Sequence, residues 1–149
     1  HFEAIVDVID RFIKIIKPKK IYFGEKDMQQ LIIIKDFIKK NHKKTQVIKC
    51  KTIRENNGIA YSSRNFNLTS NDKNIAAKIY NLIKKNKNKI IRSGRVLKIK
   101  KEILLLGIKK IDYIRLLDIN KIVKPYKKNK NPKIFIAYYL NKTRLIDNI

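Results

Sequence analysis

Residues 22–31 read Tyr-Phe-Gly-Glu-Lys-Asp-Met-Gln-Gln-Leu, YFGEKDMQQL. An aromatic-ended apolar run, Ile21–Phe23, stops at Gly24; three charged residues follow, and from Met28 the apolar residues take helical spacing. A strand that hands over to a helix through a short charged joint is the repeating step of a parallel α/β sheet. The flanks continue that rhythm. Upstream, Phe2, Ile5, Ile9, Phe12, Ile13 and Ile16 predict an amphipathic helix over 2–17, ended by Pro18. Downstream, the pattern predicts a helix over 28–40, nearly apolar all round at Leu31–Ile34, with Asn41 as its stop. Ile48, Cys50 and Thr52 then alternate with Lys49 and Lys51, which predicts a strand over 46–53. Ile21–Phe23 is expected to be a short buried strand.

After Ile53 the character changes. Glu55-Asn56-Asn57-Gly58 reads as a turn, and 59–65 as a polar, serine-bearing loop. Thr69 with Asp72 has the capping-box form and predicts a helix through about Lys85, with Ile75, Ile79, Leu82 and Ile83 on one face. Ser93 is expected to cap a further helix with Val96, Leu97, Ile103 and Leu104 inward and Gly107 near its end. Three strands follow over 111–119, 133–140 and 143–149, the last two joined by Asn141-Lys142 as an antiparallel pair. Residues 124–132 read as a basic loop. The expected organisation is a slice of a doubly wound sheet in 1–52 and a small α+β domain in 53–149.

The net charge of +25 invites a nucleic-acid reading, since basic patches neutralise phosphate and release counterions. Its make-up argues otherwise. Only seven of the 37 basic residues are arginine, the better fork for phosphates and base edges. The lysines are spread along the chain among Asn and Ile, residues favoured by A+T-rich codons. No apolar stretch approaches the roughly 20 residues that span a bilayer. Cys50 is the single cysteine, so no internal disulfide can form, and a reducing, cytoplasmic setting is the expectation. Cys50 reads as a small core residue and His42, among lysines, as a solvated surface residue. No histidine–carboxylate set has zinc spacing.

Gly24–Asp27 stands where ligands bind in a parallel sheet, beyond a strand's carboxyl end and at the opening of a helix whose N–H groups favour anions. Gly24 would let a ligand approach the backbone, Lys26 offers a movable charge for phosphate, Asp27 could bond a ribose hydroxyl, and Gln30 a polar second substrate. A plainer reading stands beside this one: Asp27 as N-cap with Gln30 closing a capping box. In the second stretch, Tyr61-Ser62-Ser63-Arg64-Asn65, two hydroxyls and a guanidinium would suit a polyphosphate, although serine loops are common without one.

The pair GEKDMQQL at 24–31 and TIRENNGIAYSSRN at 52–65 resembles the pantoate–β-alanine ligase (pantothenate synthetase) family, whose pattern runs close to FGEKDxQQL and then VREADGLAxSSRN. HFEAI at 1–5 resembles the family's HFxGV, and TRLIDNI at 143–149 its terminal strand. The resemblance implies a Rossmann-like parallel sheet of the nucleotidyltransferase superfamily followed by a small α+β domain. It implies a two-step, ATP-dependent ligation: pantoate and ATP give pantoyl adenylate and pyrophosphate, then the β-alanine amine displaces AMP to give pantothenate. By motif match, Gly24, Glu25, Lys26 and Asp27 would bind ATP, with Ile53 meeting the adenine through its backbone and Tyr61, Ser62, Ser63 and Arg64 gripping the phosphates. Gln30 would hold pantoate, and His1 matches a site histidine. Lys26, Arg64 and His1 would be the catalytic set. Magnesium would neutralise the phosphates, with its ligands outside these residues or on ATP itself. A homodimer is implied, with neither a specific nucleic acid nor a membrane as partner. The family's P-x-M-G-x-L-H-x-G-H type segment has no counterpart here, so the chain is expected to be a C-terminal portion that begins inside the Rossmann-like domain and is inactive alone. Three departures stand out: Ala4 for a glycine, expected to crowd its helix; Tyr61 for Met or Leu; and Asn56-Asn57 for Ala-Asp. Two other readings remain: a related nucleotidyltransferase acting on another carboxylic acid, and a basic, non-enzymatic nucleic-acid-binding domain.

Overall fold

The computed structural model describes residues 2–121 and 130–149, which divide into two compact units. The first holds residues 2–52 with 120–121, and the second holds 53–119 and 130–149. His1 and residues 122–129, which take in most of the basic loop expected over 124–132, lie outside the described residues.

In the first unit, helix α1 (Phe2–Ile16) leads to strand β1 (Lys20–Gly24), helix α2 (Met28–Asn41) and strand β2 (Gln46–Cys50). β1 and β2 pair in parallel, with Lys20 opposite Gln46 and Gly24 opposite Cys50. The parallel sheet and its helices are as the periodicity predicts. Buried Ile13, Ile34 and Ile38 form the core, joined by Ile5, Ile9, Ile21, Phe23, Phe37 and Val47.

Several details differ from expectation. β2 ends at Cys50, not residue 53, because its partner β1 runs out at Gly24. β1 is buried on one face only: Ile21 and Phe23 pack inward while Tyr22 is 63% exposed. On α1, the line Ile5–Ile9–Ile13 meets the core, whereas Phe12 and Ile16, at the edge of the stripe, are exposed. Ala4 is exposed, where crowding was expected. His42 is no free surface residue: its Nε2 lies 2.7 Å from Asp10 Oδ1, and its side chain is only 14% exposed. Asp10 also pairs with Lys14 at 2.6 Å. The Lys14 hydrogen bond, with a second from His42, holds the Asp10 carboxyl below its ordinary range.

In the second unit, helix α3 (Ser70–Ser93) and helix α4 (Leu97–Leu104) pack on a three-stranded antiparallel meander, β3 (Lys110–Asp118), β4 (Pro132–Leu140) and β5 (Thr143–Asn148), with β4 central. Ile79, Ile83, Ile90, Ile99, Ile103, Ile134, Ile136 and Leu140 are among the core side chains. The capping box at Thr69 and Asp72 is present in both directions. Asp72 does more than cap: its buried carboxylate also accepts from Asn141 Nδ2, at 3.1 Å to each oxygen, tying the β4–β5 turn to the start of α3.

α3 runs well past Lys85, because Ile90 falls two turns after Ile83 and reaches the same core. Ser93 is therefore the last residue of α3, not the cap of α4; Gly94, left-handed at φ 66, ends the helix, and Val96 precedes α4. On α4, Ile99 and Ile103 face inward, while Leu97 and Leu104 are exposed at 72% and 41%.

Candidate functional site

The joint after β1 is a single 3-10 turn, Glu25–Asp27, that leads straight into α2. Gly24 there has ordinary extended backbone, φ −69 and ψ 136. A Cβ at this position would meet none of the described residues within 4 Å. Neither conformation nor packing among the described residues calls for glycine, which suits a backbone that something else approaches closely. Glu25 turns back toward the sheet and pairs with Lys49 of β2 at 3.3 Å, pinning the turn to the strand end. Lys26 and Gln30 are half-buried, and Asp27 is exposed. Asp27 has φ −93 and ψ 56 and makes no side-chain capping hydrogen bond, so the capping-box reading of Asp27 with Gln30 does not hold. The first turn of α2 therefore opens without a side-chain cap.

The second stretch lies in the other unit. An isolated antiparallel bridge, Arg54 with Ala60, closes the turn, and Tyr61 N donates to Ile53 O at 3.0 Å. Ile53 and Tyr61 thereby stand side by side, 73% and 61% exposed. The Ile53 carbonyl, one of the backbone groups expected at the adenine, already holds this bond. Ser62 caps the 3-10 turn Ser63–Asn67: its Oγ accepts from Arg64 N at 3.2 Å. That hydroxyl keeps its own proton to donate. Ser63 and Arg64 are exposed. Asn57, where the family pattern has aspartate, accepts from Ile59 N through Oδ1 at 3.0 Å, so the amide keeps the acceptor the turn requires.

Lys26 thus belongs to the first unit, and Ile53, Tyr61, Ser62, Ser63 and Arg64 to the second. His1 lies outside the described residues. Sequence reasoning passed over Arg54. Its guanidinium grips Asp147 of β5 with both nitrogens, at 2.7 and 2.9 Å, and stacks 4.3 Å from the centroid of Tyr80. The signal was an arginine beside the turn and a lone aspartate in the terminal strand.

Among the described residues no group of three or more His, Cys, Asp or Glu could hold a metal ion. Nor, among the described residues, is any helix long and apolar enough to cross a membrane.

A family model described as pantoate-beta-alanine ligase matches residues 1–149. The chain belongs to the pantoate-beta-alanine ligase family. Among its relatives, the pantothenate synthetase of Flavobacterium psychrophilum is 34% identical over all of this chain and 55% of its own length. That of Buchnera aphidicola is 39% identical over 99% of this chain and 54% of its own. The solved pantothenate synthetase of Thermus thermophilus superimposes with a TM-score of 0.82 at 25% identity, covering all of this chain and 55% of that one. The ligase of Francisella tularensis, solved with beta-gamma ATP and beta-alanine, gives 0.74 at 36% identity, over all of this chain and 50% of that one. The chain spans about half the length of the curated relatives it matches.

Proposed function

We propose that these residues serve an ATP-dependent ligase that joins pantoate to β-alanine through a pantoyl adenylate, releasing pyrophosphate and then AMP. The observation that carries this is the family match over the whole of residues 1–149. It is supported by two loops whose chemistry suits a nucleoside triphosphate. The joint 24–27 offers an unobstructed backbone, an ammonium on Lys26, and at Asp27 a carboxylate not engaged in capping. The loop 61–64 offers hydroxyls and the Arg64 guanidinium on a turn that the Ser62 cap holds. In this reading the Lys26 ammonium and the Arg64 guanidinium each serve the ATP phosphates, stabilising negative charge as the pantoate carboxylate attacks the α-phosphate. Asp27 takes the ribose, Ile53 and Tyr61 serve the adenine, Gln30 orients pantoate, and His1 matches the family's site histidine. Attack then trades a poor leaving group for AMP, a good one, and what the enzyme supplies is mainly positioning. Magnesium would travel with the ATP phosphates. The active species is read as a homodimer, with residues 1–52 and 53–149 as its two domains here.

The test is turnover by the gene product that contains these 149 residues, given ATP, pantoate and β-alanine. AMP release that needs both substrates, with pantothenate as product, is expected; release with a different acid and none with pantoate would overturn the assignment. Lys26→Ala should lower adenylation by at least about a hundredfold, the scale of losing one charge-stabilising donor. Replacing Lys84, Lys85, Lys87 or Lys89 singly should leave it unchanged.

A further inference from the structure

Behind the serine–arginine loop lies a set of contacts that the ligase reading leaves unassigned. Asn65 is 6% exposed. Its Nδ2 donates to Glu55 Oε1 at 2.9 Å and to Ala60 O at 3.2 Å, and its backbone N–H donates to Ser62 O at 3.0 Å. One buried asparagine, through its side-chain amide and its backbone N–H, thus holds the residue before the loop, the loop's first serine and the turn opposite. Glu55 is fixed in turn: its N–H donates to Ile59 O and its carbonyl accepts from Gly58 N, both at 2.8 Å. The adjacent Arg54 anchors that turn to β5 through Asp147, and also donates to Gly58 O at 3.0 Å and Asn148 O at 3.3 Å.

The geometry points to Glu55 and Asn65 as positioning residues that set the shape of Tyr61–Arg64 for a polyphosphate. The inference rests on the ATP reading of that loop. Neither residue is offered as a phosphate ligand. A carboxylate is an odd neighbour for a polyphosphate unless it serves something else, and here its Oε1 accepts from the same Asn65 Nδ2 that donates to Ala60 O, while the Asn65 backbone N–H holds Ser62 O. Holding the loop in its binding shape beforehand removes an ordering cost from each binding event. Misplacement by about 1 Å can cost about a hundredfold in rate.

The test compares Asn65→Ala, Glu55→Ala and Glu55→Gln in the gene product containing this chain. Each is assayed at a temperature where circular dichroism shows it folded. Asn65→Ala and Glu55→Ala are expected to raise KM for ATP by about tenfold or more with KM for β-alanine unchanged. Glu55→Gln keeps an oxygen acceptor for Asn65 and should return KM for ATP to within about threefold of the parent. A purely structural role would move the melting temperature alone. The inference is overturned if folded Glu55→Ala keeps the parent KM for ATP, or if Glu55→Gln is as impaired as Glu55→Ala. If Asn65→Ala does not fold, the two Glu55 variants, at a half-exposed turn, decide. Calorimetric titration with ATP separates this from the ligase reading. A parent that binds ATP at least about tenfold tighter than Glu55→Ala sustains the positioning role even if no pantothenate forms; equal affinity, or no binding by either, overturns it.

Discussion

Gly58→Ala should destabilise the second unit severely, whereas Gly24→Ala should not. Gly58 has φ +94, and a Cβ there would fall 2.3 and 2.4 Å from the Cδ1 and Cε1 atoms of Tyr80. The positive φ costs an L side chain about 1–2 kcal/mol. Forcing a methyl into packed atoms costs about 1–3 kcal/mol more. The ring cannot swing aside cheaply, because the Arg54 guanidinium sits 4.3 Å from its centroid and Lys84 Nζ 5.6 Å from it. The total, about 2–5 kcal/mol, is a large part of the roughly 5–15 kcal/mol that holds a domain folded. With a urea slope near about 2 kcal/mol per molar, the midpoint should fall by about 1–2.5 M. Far-UV circular dichroism and tyrosine fluorescence would follow the transition. Gly24, with φ −69 and open space around its missing Cβ, should accept alanine within about 1 kcal/mol. If the two variants share one midpoint, the reasoning from φ and Cβ clearance is wrong. Under the ligase reading, Gly24→Ala should instead weaken ATP use while leaving the fold intact.

Asp27→Ala should shift the melting temperature by no more than about 2 °C, since no capping bond is lost, yet raise KM for ATP; a cap-sized stability loss of about 1 kcal/mol with unchanged KM would return Asp27 to a structural role. Asp72→Ala should cost about 1–3 kcal/mol in a denaturation series, since the donors of Thr69 and Asn141 lose their acceptor while the bond from residue 72 N to Thr69 Oγ survives. The Asp10 carboxyl is held below its ordinary value of 3.8, so its pairing stabilises above that pH and is lost as pH falls through the lowered folded value. Asp10→Asn should therefore lower the urea midpoint at about pH 7 and have little effect near about pH 2; an equal effect at both would refute the pairing.

The parallel unit was legible because its apolar periods switch from 3.6 to 2 and back, with Gly24 and Pro18 as punctuation. The antiparallel strands were legible to within a residue at each end, since β4 is a short, nearly continuous apolar run and Asn141-Lys142 breaks it from β5. What misled was charge and reach. The run Lys84–Lys89 reads as a helix end, but its lysines lie on a solvated face while Ile90 carries the buried stripe onward. The strand over 46–53 was too long because alternation describes one chain, whereas a strand's length is set by its partner. At the site, local strings picked out Lys26 and Arg64, but Arg54 and Asp147 are 93 residues apart in sequence and no local pattern reports their pairing.

The acidic residues sharpen the case for the first loop. In a chain this basic, a carboxylate has no shortage of cations nearby, so its geometry says more than its pairing. Asp10 clasps α1 to His42, Glu25 pins a turn to Lys49, Asp36 pairs along its helix with Lys40, and Asp112 meets Arg144 across the sheet. Asp72 caps a helix and Asp147 takes both arms of Arg54. Each of these contacts explains why a carboxylate stands where it does. Asp27 differs: it sits at the one position of its helix where an acidic cap is favoured, in a backbone conformation that does not deliver the cap. Beside a glycine that no described residue crowds, a carboxylate without its local use fits the role proposed for it above, in which it accepts from a ribose diol at the end of β1.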